Sequence, residues 1–105
     1  MGVVEVPVND YATVVDDTAQ FIDVREPGEV AQGTIPGTVN IPLGQVPGRV
    51  DELDRERRVV LLCRSGNRSG QAAQFLTGLG FTDVVNLTGG MLAFDPSATT
   101  ERTTS

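Results

Sequence analysis

The chain has a single cysteine, Cys63, set between an apolar run, Val59-Val60-Leu61-Leu62, and the polar segment Arg64-Ser65-Gly66-Asn67-Arg68-Ser69. Most free cysteines behave as small hydrophobes inside a core. A following stretch of arginines, serines and glycine does not belong to a core, so Cys63 is read instead as an activated thiol. A loop that feeds a helix presents several backbone N–H groups with no intrahelical partner, and the helix dipole adds partial positive charge there. Gly66 lets the chain curl so that successive amides converge on one point, which makes a nest for an anion. Arg64 and Arg68 are the only charged residues between Val59 and Thr82, in a chain whose formal net charge is −6. Arginines and helix starts lower a thiol's pKa, and the thiolate is the nucleophilic form. The same cradle suits an anionic substrate. Arg68, just ahead of the expected helix, is placed to fold back over the loop, and Arg64 to point more towards solvent.

What the chain lacks narrows the chemistry further. It has no histidine, no lysine and no tryptophan. Without histidine there is no Ser-His-Asp or Cys-His pair. Without lysine there is no Schiff base and no phosphate-gripping lysine. One cysteine and no histidine exclude an intrachain disulfide and the usual zinc site, so neither a metal nor a cofactor is expected. The acidic balance argues against nucleic acid or an anionic membrane as a partner. The N-terminal MGVVEVPVND has no basic region followed by an apolar stretch, and with a lone free thiol this suggests a reducing, cytoplasmic setting.

The elements that must position Cys63 alternate in type. Strands are expected at Val3–Val6, Phe21–Val24, Val39–Ile41, Val59–Leu62 and Val84–Leu87. Asn9 or Asp10 can cap a short helix through Asp16, and Pro27 suits the first turn of another. Gln45–Leu53 holds one or two helical turns, limited by Pro47 and Gly48. The strongest helix pattern runs from Ser69 to Leu79, with Gly80 as its stop. Val59–Leu62 is apolar throughout, as a strand buried on both faces is. These 105 residues therefore predict one α/β domain with a small, mostly parallel sheet flanked by helices on both faces. The domain is expected over residues 1–96. Residues 97–105 contain six serines or threonines and nothing large to bury, and are expected to be a disordered tail. Asp23 and Arg25 suggest an ion pair near the site, Gly89-Gly90 a turn, and Arg55, Arg57 and Arg58 a solvated face.

Four segments, in order, resemble those of single-domain rhodaneses, the thiosulfate sulfurtransferases. They are Asp23-Val24-Arg25-Glu26-Pro27-Gly28-Glu29, Gly33 through Pro42, the Cys63–Ser69 loop, and Leu87 through Phe94. Thr34 and Phe94 stand where that family has histidine and tryptophan, positions structural in the family. The resemblance implies a rhodanese-like fold and a Cys63 persulfide cycle. Sulfur would pass from thiosulfate or a similar small anionic donor to cyanide, a small thiol or a thioredoxin-like protein. Arg64, Ser65, Gly66, Asn67, Arg68 and Ser69 would bind the substrate, with Asp23 and Arg25 in structural roles nearby.

Three other readings compete. A persulfide carrier dedicated to a cofactor- or tRNA-thiolation partner would use the same residues. Phosphatases and arsenate reductases also place an arginine after a cysteine loop, but their loop is one residue longer than the four, Arg64 to Asn67, found here. A non-catalytic binding module would have little use for the thiol. From the sequence alone, Cys63 alkylation followed against pH is expected to report a pKa below the free-thiol value of about 8.5. A normal or raised value would show that the cradle does not form.

Overall fold

The computed structural model describes residues 2–97. Five strands, β1 (Val4–Pro7), β2 (Gln20–Asp23), β3 (Val39–Asn40), β4 (Val59–Leu62) and β5 (Val84–Thr88), form one sheet in the order β1-β5-β4-β2-β3. Every pairing is parallel. β4 lies at the centre and all four of its residues are buried. Alternation along it sends Val59, Leu61 and Cys63 to one face and Val60 and Leu62 to the other.

Each face is covered by its own apolar layer. On the first, Ala72, Ala73 and Leu76 of a long helix pack with Ile22, Val24, Val46 and Phe81. On the second, Val8, Tyr11, Ile35, Met91 and Phe94 cover Phe21, Val85 and Leu87. Phe94 meets the Tyr11 ring edge-on at 6.2 Å, so a phenyl ring fills that corner without an indole. Among the described residues, no helix is long and apolar enough to cross a membrane.

The helices are α1 (Pro27–Val30), α2 (Val46–Arg49), α3 (Asn67–Gly78) and α4 (Gly90–Ala93), joined by 3-10 turns. Several differ from the sequence reading. α3 begins at Asn67, two residues before Ser69, because Gly66 at φ 102° turns the chain directly into the helix. Asn67 and Arg68 thus belong to the first turn of α3, not to the loop. Asn9 caps nothing: it lies in the 3-10 turn Val8–Thr13, donates to the Ala93 carbonyl at 3.0 Å and accepts the Asp95 amide at 2.7 Å. The arginines after β3 also do more than face water. Arg55 holds the Leu79 carbonyl at the end of α3 and lies over the Phe81 ring, Arg57 holds the Thr18 carbonyl, and Arg58 pairs with Asp83. Of the serine- and threonine-rich tail, only Ser97 is described, and its amide donates to Asp95; the rest lies outside the described residues.

β2, β4 and β5 all end at one edge of the sheet, and that edge is where α/β sheets build sites. The end of β2 is fixed by a buried polar cluster. Asp23 is fully buried and pairs with Arg25 through both Nε and Nη2, the latter at 2.8 Å. Thr34 Oγ1 donates to Asp23 Oδ2 at 2.7 Å, so at the position where the resemblance expects histidine a hydroxyl supplies the hydrogen bond. Arg25 Nη2 also donates to the Gly33 carbonyl, and Asn40 donates to the carbonyls of Asp23 and Arg25. Arg25→Ala would leave the Asp23 carboxylate buried without its cation. It is expected to destabilise the fold by about 3–5 kcal/mol, read by denaturant unfolding. A loss well under 1 kcal/mol would mean that water replaces the guanidinium.

Candidate active site

Cys63 follows the last residue of β4, and its residue surface is fully buried at the floor of the loop. Its sulfur is nonetheless surrounded by donors. The Gly66 amide lies 3.0 Å from Sγ and the Ser69 hydroxyl 3.2 Å away. Burial pushes the thiol pKa up. The Ser69 hydroxyl and the amides of Ser69, Gly66 and Ser65 pull it down by more, and the thiol sits below its ordinary value.

The Gly89-Gly90 pair holds this loop in place from β5. Met91 N–H donates to the Cys63 carbonyl and Leu92 N–H to the Arg64 carbonyl, both at 2.9 Å. A Cβ on Gly90 would sit 2.4 Å from the Cys63 oxygen and 2.6 Å from the Arg64 carbonyl carbon, at a residue whose φ is 54°. Only glycine fits that approach. The sequence shows a turn here; its use as a brace across the top of β4 is a long-range contact.

The remaining loop residues divide by position. Ser65 and Asn67 are exposed at the rim. Arg64 is also exposed and, with Arg25, Glu29, Gln32, Met91 and Leu92, lines a cleft of about 290 Å³. Arg68 does not lie free over the loop. Its Nη1 and Nη2 grip the two oxygens of Glu29 at 2.7 and 2.8 Å, although its charge still acts on Cys63. Ser69, fully buried, turns its hydroxyl towards Cys63 and towards the Asn86 carbonyl oxygen. Arg25 lines the cleft while paired with Asp23, which is buried beneath it. Glu29 and Asn86 are site residues that the sequence reading did not single out. Glu29 lay inside a recognised segment, but nothing local marks it as the partner of a residue 39 positions away. Among the described residues no cluster of histidine, cysteine or carboxylate side chains could hold a metal ion.

The family model for the rhodanese-like domain matches residues 9–96. The chain belongs to the rhodanese-like family. A sulfurtransferase of Allochromatium vinosum is 44% identical over 74 residues, covering 70% of this chain and 69% of that one. The thiosulfate sulfurtransferase GlpE of Pseudomonas syringae is 31% identical, with 81% of this chain and 80% of that protein aligned. The crystal structure of a rhodanese-like domain protein from Staphylococcus aureus superposes with a TM-score of 0.75 at 28% identity, over 90% of this chain and 92% of that one. The rhodanese-like fold places Cys63 at the carboxyl edge of its sheet.

Glu29 makes the rim of the site sensitive to acid. Its hydrogen bonds to Arg68 hold its pKa at about 2, against an ordinary 4.5. The folded state thus binds this proton less readily than the unfolded chain. The stability Glu29 contributes is fully present above about pH 4.5 and is lost as pH falls through about 2. Unfolding measured against pH for the parent and for Glu29→Gln is expected to show a gap that closes across that window. A gap that does not change with pH would mean that the pair adds nothing through its charge.

Proposed function

We propose that this rhodanese-like sulfurtransferase moves a sulfane sulfur from thiosulfate, or a donor of the same anionic kind, to a thiol or cyanide through a persulfide on Cys63. The observation that carries this reading is the sulfur's setting: the chain's one thiol, with two hydrogen-bond donors within 3.2 Å and its pKa held down. The name of the Pseudomonas syringae relative supports thiosulfate as donor.

The Cys63 thiolate attacks the outer sulfur of the donor. A new S–S bond forms, the donor's S–S bond breaks, and sulfite leaves with the bonding pair. The outer sulfur then carries the negative charge, and loop amides stabilise it as oxyanion-hole donors stabilise oxygen. An acceptor thiolate or cyanide attacks that sulfur and returns Cys63 to its thiolate. No general base is required, which is why a chain without histidine can run the cycle. Arg64, exposed on the cleft, steers the anion and meets its sulfonate end. Arg68 contributes field at the sulfur while Glu29 holds it in place. Cys63 has no exposed surface, so the donor's outer sulfur reaches Sγ only when the atoms over it give way.

Incubation with thiosulfate is expected to add the mass of one sulfur atom to the intact protein, and cyanide or dithiothreitol to remove it. Cys63→Ser is expected to gain nothing; sulfur retained by that variant would overturn the mechanism. A protein that takes up sulfur but releases it to no small acceptor would instead favour a dedicated carrier.

A further inference from the structure

Asn86, on β5, is 3% exposed and lies behind the active-site loop. Its Nδ2 donates to the Gly66 carbonyl at 3.2 Å and to Glu5 Oε2 at 3.3 Å. Both partners are acceptors without a hydrogen, so the direction of the carboxamide is fixed. Its Oδ1 must face Ser69 Oγ, with which it makes a short hydrogen bond. Ser69 Oγ in turn lies 3.2 Å from Cys63 Sγ. A hydroxyl has one proton to give. Here it has two claimants, a carboxamide oxygen that is always an acceptor and a sulfur that is a weak acceptor as the thiol and a strong one once it has lost its own proton.

The geometry points to Asn86 as a positioning residue that competes with the Cys63 thiolate for the Ser69 hydroxyl proton. With the thiol protonated, the Ser69 hydroxyl donates to Asn86 Oδ1, and the S–H can donate to the oxygen of Ser69. When the thiol ionises, the hydroxyl turns to Sγ and gives up Asn86. The inference rests on Cys63 being the reacting sulfur and extends that reading through the cycle. When Cys63 attacks the donor and sulfite departs, the charge moves from Sγ to the outer sulfur. Sγ then becomes a poor acceptor and the hydroxyl returns to Asn86. The hydroxyl follows the charge, and Asn86 keeps the attacking thiolate from being over-stabilised, which would blunt its nucleophilicity.

The charged groups bearing on this site are Arg64 in the loop, Arg68 on α3 with its partner Glu29 on α1, and Glu5 on β1. Two measurements test the proposal, and neither needs turnover. In the unaltered protein, the Asn86 side-chain carbon signal in NMR is expected to shift with the same midpoint as Cys63 alkylation, and this shift is expected to vanish in Ser69→Ala. In Asn86→Ala, the alkylation midpoint is expected to fall by roughly 0.5–1 pH unit, up to about tenfold more thiolate at a given pH. That fall is expected to disappear when Ser69→Ala is added. A loosened loop would do the opposite, raising the midpoint by misaiming the amides whether or not Ser69 is present. A flat Asn86 signal, a raised midpoint in Asn86→Ala, or a fall that survives in the double variant would each overturn the proposal. Should Asn86→Ala not fold, the NMR titration of the unaltered protein decides alone. Failure of sulfur uptake from thiosulfate would count against the transfer reading and leave these titrations unaffected.

Discussion

Two backbone hydrogen bonds, from the amides of Met91 and Leu92 to the carbonyls of Cys63 and Arg64, fix the geometry on which the site depends. In a planar trans peptide the carbonyl and the next N–H point in opposite directions. Pinning the Cys63 and Arg64 carbonyls against α4 therefore turns the amides of Arg64 and Ser65 the other way. α4 can offer these bonds because a helix start has amides with no partner of their own. It can come close enough because Gly90 has no side chain. Gly66, with its positive φ, completes the curve and hands the chain to α3.

The electrostatics follow from this frame. Removing Cys63 from water disfavours its charge, and the donors fixed around Sγ more than reverse that. The arginines act over a longer range. Arg68 is clamped by Glu29, whereas Arg64 has no ion pair among the described residues and faces the cleft. An acidic protein thus presents one unpaired arginine, Arg64, at the cleft while Glu29 pairs with Arg68.

The features legible in the sequence were those that one short segment encodes. Val59–Leu62 ends where its apolar run ends, and the alternation of strands and helices is enough for a parallel sheet. The Cys63–Ser69 loop showed itself through its local reversal of charge. The unreadable features were contacts between distant segments. Nothing next to Gly90 says that it will press on Cys63, and nothing next to Asn86, an asparagine between Val85 and Leu87, says that it will meet Ser69. Arg55, Arg57 and Arg58 alternate with acids in a surface pattern, yet tertiary contact gives each a backbone carbonyl to hold. α3 starts ahead of Ser69, where the helical pattern begins, because Gly66 turns the chain into the helix at once, and the Ser69 hydroxyl faces a sulfur and a carboxamide oxygen.

The burial of Cys63 bears on the regiochemistry of the proposed second half-reaction. A persulfide offers an incoming nucleophile two sulfurs. Attack at the outer one passes the sulfur on, whereas attack at the inner one couples the nucleophile to the protein and expels hydrosulfide. The inner sulfur here is walled in by the floor of the sheet, the Gly66 amide and the Ser69 hydroxyl. Steric access alone then directs the nucleophile outward. A thiol acceptor would leave carrying the sulfur, and the protein would be spared capture as a mixed disulfide.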